Sequence, residues 1–353
     1  MPRLRFFALT SIVLLSGCLG RCGGDTPPEA PLAVTTPAEP TPAPEPTPVQ
    51  DPNALTRLDE LWNFGDPKGT EEAFRALLEE TAEDETPASV PLRLELQTQI
   101  ARTLGLQGKF EDAHALLDRV DKAIAEGRTE PERYATARVR ALLERGRVLN
   151  SSGAEKEEAR ALFEEAFAAA GAAQKDGYAV DAAHMVAIVE QGTEEELAWN
   201  RKALALAESS ADPKAQKWKG SLYNNLGWGE HDRGNFDAAL AWFDKQIVER
   251  TATGKEPALR KAKWARGRCL RSLKRHEDAL AVHEALLRDY PEANDGFIYE
   301  ELGELMLLME QPQRAPEFFA RAFELLKDGW LAKAEPERLK RMATLGGVET
   351  GGK

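Results

Sequence analysis

The chain has 353 residues, 46 basic and 59 acidic side chains, a formal net charge of −13 and a mean hydropathy of −0.46. A hydrophobic share of 42% suffices for a folded core, whereas the low mean hydropathy excludes a polytopic membrane protein. The acidic charge argues against a nucleic-acid partner, and three cysteines cannot form a disulfide framework.

Residues 1–17 have the composition of an export signal. Arg3 and Arg5 precede an apolar run that ends at Leu15, and the small residues Ser16 and Gly17 follow it. The run is too short for a permanent membrane-spanning helix, so the pattern predicts a signal peptide. An ordinary secretory signal and a short anchor helix are the alternatives.

The segment Leu15-Ser16-Gly17-Cys18 resembles the lipobox of bacterial lipoproteins. The resemblance implies that Cys18 becomes the first mature residue and carries the lipid chains, palmitate among them, that anchor the protein in a membrane. Two or more chains give stable anchoring, since each buried methylene contributes about 0.8 kcal/mol. Residue 19 is Leu rather than Asp, which under the enterobacterial sorting rule for lipoproteins would favour delivery to the outer membrane. We therefore expect the bacterial cell envelope, at its periplasmic or surface face.

Residues 18–52 follow as a segment rich in Pro, Ala, Thr and Glu, with ten prolines between Pro27 and Pro52. Such a composition lacks the apolar surface that would offset the entropy of ordering the chain. It predicts a disordered tether, partly in the polyproline II conformation, that holds the rest of the chain away from the membrane.

Residues 53–345 show one pattern throughout, in which apolar residues recur at spacings of three and four. No alternating β-branched pattern is present, and glycines and prolines fall between the helical segments, so the region should be all-α. Residues 346–353 are predicted to be a flexible tail. The turn glycines are Gly108, Gly153, Gly192 and Gly234.

The helices repeat. A turn followed by acidic residues, a small or apolar residue and an apolar helix recurs every 36 to 46 residues. The small or apolar positions are Ala73, Ala113, Ala159, Leu197, Ala239, Ala279 and Ala315. A small side chain there lets two antiparallel helices approach closely, so the region should consist of about six to seven helix pairs.

The later repeats resemble the tetratricopeptide repeat (TPR) family. The residues that carry the resemblance are Tyr223, Leu226, Gly227, Gly234, Phe236, Ala239 and Phe243 in one repeat, Gly267, Ala279 and Pro291 in the next, and Tyr299, Leu302, Gly303, Ala315, Phe319 and Ala322 in the last full repeat. The resemblance implies a right-handed α-solenoid with a concave groove, lined by the first helix of each pair, that binds a peptide or protein surface. The spacing exceeds the ideal 34 residues, which implies longer loops.

No combination of residues predicts catalysis, and no cofactor is expected. Cys269, His276 and His283 are seven residues apart, but the repeat pattern places His276 in the turn between two helices. The three side chains therefore do not share a helix, and the sequence predicts no metal site.

A basic segment is the local exception in this acidic region. Eight basic and no acidic residues lie between Arg260 and Arg275. Helical spacing places Lys261, Trp264, Arg268 and Arg271 on one stripe, and the preceding first helix contributes Asn224, Asn225 and Trp228. Together these seven residues form a candidate peptide-binding site.

Two interpretations of the basic segment remain open. Cations and amides beside aromatic rings suit a peptide that is acidic or bears a free carboxylate. Some TPR domains bind a C-terminal carboxylate with Asn on one repeat and Lys or Arg on the next, a resemblance that is partial here. Alternatively, the cations pair with Glu300, Glu301 and Glu304 of a neighbouring helix while the tryptophans pack between repeats.

The sequence thus predicts a membrane-anchored, extracytoplasmic TPR scaffold or adaptor that binds a protein or peptide in its groove and is not an enzyme. An envelope enzyme related to peptidoglycan, or a lipoprotein that binds a polymer or solute, is the alternative from another class. Clustered carboxylates with shifted pKa values would favour that alternative. A purely structural spacer would lack a distinct charged or aromatic patch.

Overall fold

A computed structural model describes residues 58, 60–82, 86, 89–127, 130–153 and 156–349. These residues form α-helices and short 3-10 turns, and no strand occurs among them, which confirms the predicted all-α fold. The predicted signal peptide, the tether and Cys18 lie outside the described residues. The described residues up to Ser152 belong to one compact unit and those from Gly153 onward to a second.

Within the described residues, the first unit contains four α-helices. They are α1 (Pro67–Glu80), α2 (Ser89–Leu106), α3 (Phe110–Glu126) and α4 (Ala135–Ser152). Phe74, Ile100 and Leu117 are fully buried in their shared core. A buried ion pair joins α2 to α4, where Arg140 Nε lies 3.2 Å from Glu95 Oε2.

The second unit contains the remaining repeats. Its helices are α5 (Lys156–Ala172), α6 (Asp176–Val189), α7 (Glu194–Ser209), α8 (Pro213–Gln216), α9 (Lys219–Asp232), α10 (Phe236–Ala252), α11 (Glu256–Ser272), α12 (His276–Asp289), α13 (Gly296–Leu308), α14 (Ala315–Leu326), α15 (Leu331–Ala334) and α16 (Pro336–Gly346). Each long helix packs against the helix that follows it. The predicted turns are confirmed at Gly153, Gly192 and Gly234, whose φ angles of 79°, 83° and 82° favour glycine.

Close packing within a pair depends on a glycine in the first helix and a ring in the second. A Cβ atom at Gly227 of α9 would lie 2.5 Å from Cε1 of Phe243 on α10. One at Gly303 of α13 would lie 2.9 Å from the ring of Phe319 on α14. Both phenylalanines are fully buried, so each ring fills the space that the missing side chain leaves.

The pair α11–α12 keeps this arrangement with a different ring. Gly267 stands in the glycine position, and His283 occupies the position of Phe243 and Phe319. His283 is fully buried, and neither of its ring nitrogens has a hydrogen-bond partner among the described residues. Burial disfavours the imidazolium form and lowers the pKa of His283 from 6.5 to about 4.

We expect His283→Phe to stabilise the protein below pH 6.5. In the unfolded chain the imidazole binds a proton below about pH 6.5, whereas in the native chain burial keeps it neutral down to about pH 4. Stability is therefore lost as the pH falls through this window, on the order of 2–3 kcal/mol in total. Urea unfolding followed by far-UV circular dichroism at pH 7, 6, 5 and 4.5 measures the loss.

The expected result is a smaller loss of unfolding free energy between pH 7 and 4.5 in the Phe variant than in the parent chain. His276→Gln, at the first residue of α12, is the matched control and should keep the parental slope. Identical pH dependence in the Phe variant and the parent would contradict the neutral, buried imidazole.

Candidate interaction surface

The seven predicted site residues lie on two helices of the second unit, α9 and α11, but they do not form one patch. The amide nitrogen of Asn225 lies 3.1 Å from Nδ1 of His184 and 3.4 Å from Oδ1 of Asn200, so Asn225 contributes to a buried polar contact with the preceding helices. Asn224 accepts a hydrogen bond of 3.4 Å from Gln246. Adjacent residues on a helix point about 100° apart, which is why these two asparagines diverge.

Trp228 and Trp264 belong to a row of four rings, hereafter the aromatic row. Its members are Trp228, Trp264, Phe297 and Trp330. Successive ring centroids are 5.9, 6.1 and 6.2 Å apart, and Trp264 donates a hydrogen bond of 3.2 Å to the backbone oxygen of Phe297. Trp330 is 41% exposed and the other three rings are half-buried. One ring thus comes from each of α9, α11, α13 and the turn before α15.

Sequence reasoning missed Phe297 and Trp330 as members of this row. A signal for them was present, because Trp264, Phe297 and Trp330 are each 33 residues apart, close to one repeat. Residues about one repeat apart fall on or beside corresponding helices of neighbouring repeats, where their side chains can come into contact even when their positions within the repeat differ. Cation–π contact adds to the row at Phe297, where Arg338 Cζ lies 5.5 Å from the ring centroid.

Arg268 and Arg271 are bound to a carboxylate within the chain. Both guanidinium groups contact Glu301 of α13, which has no exposed surface. Arg271 Nε lies 2.7 Å from Oε2 and its Nη2 lies 3.1 Å from Oε1. Burial alone would raise the pKa of Glu301, but Arg268 and Arg271 outweigh that effect and hold the pKa at about 2. We call these three residues the Glu301 cluster.

Two further arginines of the basic segment are also balanced by neighbouring acids. Arg266 Nε lies 2.7 Å from Asp244, and Arg275 Nη2 lies 2.6 Å from Asp278. Lys261 is exposed and forms no ion pair within the described part of the chain. Within the predicted stripe, the side chains available to a partner are therefore Lys261 and the accessible edge of Trp264.

The structure brings a serine and a histidine together that sequence spacing did not connect. Ser272 Oγ lies 2.9 Å from Nε2 of His231, and Nδ1 of His231 lies 3.7 Å from Asp232, beyond hydrogen-bond distance. Ser272 is the last residue of α11, so it faces the partially negative carbonyl end of the helix, which disfavours an alkoxide or an oxyanion. The contact ties the ends of α9 and α11 and does not resemble an activated nucleophile.

Cys269 is unsuited to nucleophilic chemistry. Its thiol is buried and donates to the backbone oxygen of Phe236 at 3.3 Å, and burial raises its pKa to about 11. Among the residues that the structure describes, no group of three His, Cys, Asp or Glu side chains is arranged to hold a metal ion.

Three carboxylates have pKa values raised by burial, and each has a structural partner. Glu300 accepts hydrogen bonds from Nε and Nη2 of Arg338, at 2.7 and 2.6 Å. Glu196 accepts from the backbone N–H of Gly192 at 2.8 Å, and Asp295 caps α13 through the N–H of Phe297 at 3.1 Å. These groups lie on separate elements and stabilise turns and helix contacts.

None of the helices in the described ranges is both long and apolar enough to cross a membrane. No protein-family model matches the chain, and no curated protein matches it.

Solved structures of tetratricopeptide repeat proteins are similar to the chain. A Signal Transduction ATPase with Numerous Domains that has a tetratricopeptide repeat sensor, from Pyrococcus horikoshii, is 14% identical and superposes with a TM-score of 0.61 over 82% of this chain. The match covers 45% of that protein, so this chain spans less than half its length. This superposition shows that the helices have the tetratricopeptide repeat fold.

Two further structures of this kind have lower similarity. A tetratricopeptide repeat protein from Parabacteroides merdae is 18% identical, with a TM-score of 0.46 over 83% of this chain and 99% of that one. The apo form of RapI is 16% identical, with a TM-score of 0.47 over 78% of this chain and 98% of that one.

We expect Glu301→Gln to destabilise the second unit strongly. The variant keeps the shape of the side chain but leaves Arg268 and Arg271 without the carboxylate that both contact, and breaking a buried ion pair costs about 3 kcal/mol or more. Urea unfolding at pH 7 measures the change.

The control is Glu324→Gln, which removes the charge of a half-exposed pair with Lys327 at 2.6 Å. It should cost much less than Glu301→Gln, because ion pairs at the surface contribute little to stability. Equal, small effects of the two substitutions would show that the Glu301 cluster does not stabilise the protein.

Proposed function

We propose that the protein is a non-catalytic adaptor that binds an extended segment of a partner protein along the aromatic row. The spacing of the four rings is the observation that carries this proposal. Alternate residues of an extended strand are about 6.4–6.8 Å apart, close to the ring separations of 5.9 to 6.2 Å. Successive side chains on one face of a bound segment can therefore contact successive rings.

The residues beside the aromatic row indicate which chemical groups a partner segment would carry. Lys261 lies one helical turn from Trp264, exposed and without an internal ion pair among the described residues, and can bind a carboxylate. Asn224 lies one turn from Trp228 and offers an amide. Arg268 and Arg271 act indirectly in this proposal, since the Glu301 cluster fixes α13 and thereby Phe297. The partner segment would be apolar at alternate positions and acidic between them.

The sequence pattern at the amino terminus adds a location to this proposal. Lipid chains on Cys18 would anchor the adaptor in the bacterial envelope, and residues 18–52 would act as the tether. With Leu19 after the cysteine, we propose the outer membrane. The net charge of −13 makes a nucleic-acid partner unfavourable.

Site-specific photo-crosslinking tests the binding surface. A photoreactive amino acid at Lys261 should crosslink a discrete protein in cells, whereas one at Glu194, whose side chain is 90% exposed on α7, should not. Trp330→Ser should lower the yield at Lys261 by about fivefold or more, because buried aromatic contacts dominate binding energy at interfaces.

Leu308→Ser is the matched control, because Leu308 is an exposed apolar residue at 47% and lies outside the aromatic row. It should leave the crosslinking yield unchanged, and circular dichroism should show both variants folded. The same adducts from Lys261 and Glu194, or an unchanged yield in the Trp330 variant, would contradict the proposal.

The membrane anchor has a separate test. Cys18→Ala removes the thiol that would accept the lipid, so the protein should move from the membrane to the soluble fraction and lose labelling by a palmitate analogue. Cys22→Ala, four residues away, should remain in the membrane and keep the label. A labelled, membrane-bound Cys18 variant would contradict lipidation at this residue.

A further inference from the structure

The helix pair α11–α12 departs from its neighbours at positions that are otherwise aromatic or aliphatic. The first helices align on Gly227, Gly267 and Gly303. Four residues before the glycine stand Tyr223, Lys263 and Tyr299, and one residue before it stand Leu226, Arg266 and Leu302. Leu226 and Leu302 are buried, as is Tyr223. In α11 the same two positions carry cations.

The second helices differ at the position that faces this tyrosine. The residue before the buried ring is Trp242 in α10, Val282 in α12 and Phe318 in α14. Tyr223 stacks on Trp242 with centroids 6.0 Å apart, and Tyr299 and Phe318 pack against one hydrophobic cluster. In the pair α11–α12, Lys263 and Val282 stand in place of two aromatic rings.

A cavity of about 270 Å³ lies where these rings are missing. Ile247, Val282, Ala285 and Leu286 form its apolar lining. Lys263, Arg266 and Asp289 supply the polar groups of the same cavity. Sites for drug-sized ligands measure about 300–1,000 Å³, so this cavity has room for a single large side chain.

The charges at the cavity leave one cation unbalanced. Arg266 is paired with Asp244 at 2.7 Å, and Asp289 with Arg288 at 3.2 Å. Lys263 has no carboxylate within ion-pair distance among the described residues. Its ammonium lies 3.5 Å from the hydroxyl of Tyr290 and 5.3 Å from the centre of that ring. An anionic group at the cavity can therefore bind Lys263 without displacing an internal carboxylate.

We propose that this cavity binds an aromatic side chain that lies next to a carboxylate, presented by a peptide segment of a partner protein. The ring replaces the aromatic side chains that fill the same position in the neighbouring pairs, and the carboxylate pairs with Lys263. The site goes beyond the aromatic row and is separate from it. Lys263 and Arg266 are about 100° and 200° around α11 from Trp264, so they lie on another side of the helix.

Titration of the full chain with N-acetylphenylalanine tests the proposal. Binding should occur with a Kd of about 1–10 mM and shift the methyl NMR signals of Val282, Ile247 and Leu286. N-acetylphenylalaninamide, which lacks the carboxylate, should bind about fivefold more weakly, because an ion pair at a half-exposed site contributes little more than this. No shift of these methyl signals at about 20 mM probe would overturn the proposal.

Two variants separate the cavity from nonspecific binding. Lys263→Tyr with Arg266→Leu introduces the residues of α9 and α13 at these two positions, so it should fold, place a ring in the cavity and abolish binding. Lys263→Gln keeps the cavity open and should remove the preference for the acid over the amide. Lys340→Tyr, at an exposed position of α16 outside both the cavity and the aromatic row, is the control and should bind as the parent does.

Other outcomes would overturn the proposal. Unchanged binding in the Lys263→Tyr, Arg266→Leu variant would place the probe elsewhere on the protein. Octanoate that shifts the same signals at equal or lower concentration than N-acetylphenylalanine would show a site for acyl chains instead of aromatic side chains.

Discussion

The arrangement of the later repeats depends on carboxylates that are buried between helices and held by arginines. Glu301 is the fullest case, because it is completely buried and two guanidinium groups from α11 bind it. Removing three charges from water is costly, and only short contacts with favourable geometry offset that cost. Buried carboxylates are paired with arginines elsewhere in the second unit as well. Glu190 is bound by Arg160 at 2.7 Å, Glu230 by Arg201 at 2.5 Å and Glu300 by Arg338 at 2.6 Å.

This internal pairing changes which chemistry the surface offers. The basic segment from Arg260 to Arg275 reads in the sequence as a strongly cationic face, yet Arg266, Arg268 and Arg271 all have carboxylate partners. What remains for a partner is an aromatic row beside Lys261 and, on another side of α11, a cavity beside Lys263. Recognition by rings and single cations is more selective than recognition by net charge, since it requires shape as well as sign.

The helices and their order could be predicted from the sequence because the information is local. Acidic residues begin the helix Glu194–Ser209, a small residue stands at Ala239, and Gly234 has a positive φ. Each of these features depends only on residues a few positions away in the sequence. The predicted stripe on α11 also follows from local periodicity. The tetratricopeptide repeat fold can therefore be predicted from local sequence patterns.

The pairing of side chains could not be predicted in the same way, because it depends on the register between repeats. Glu301 is 33 residues from Arg268, and the sequence offered Glu300 and Glu304 as equal alternatives. Asn225 was assigned to the binding face, but its amide contacts Asn200 and His184 of earlier helices. The cavity beside Lys263 exists because the pair α11–α12 lacks aromatic rings that the neighbouring pairs have. It can be recognised only when the three helix pairs are compared in the structure.

A double-mutant cycle between Arg268 and Glu301 tests the buried pairing most directly. Unfolding free energies of the parent, Arg268→Met, Glu301→Gln and the double variant give the coupling between the two side chains, free of their separate effects. A coupling of about 1.5 kcal/mol or more is expected for a desolvated pair in contact. A coupling below about 0.3 kcal/mol would show that the arginine is not engaged by Glu301 in solution and that the basic face is available to a partner after all.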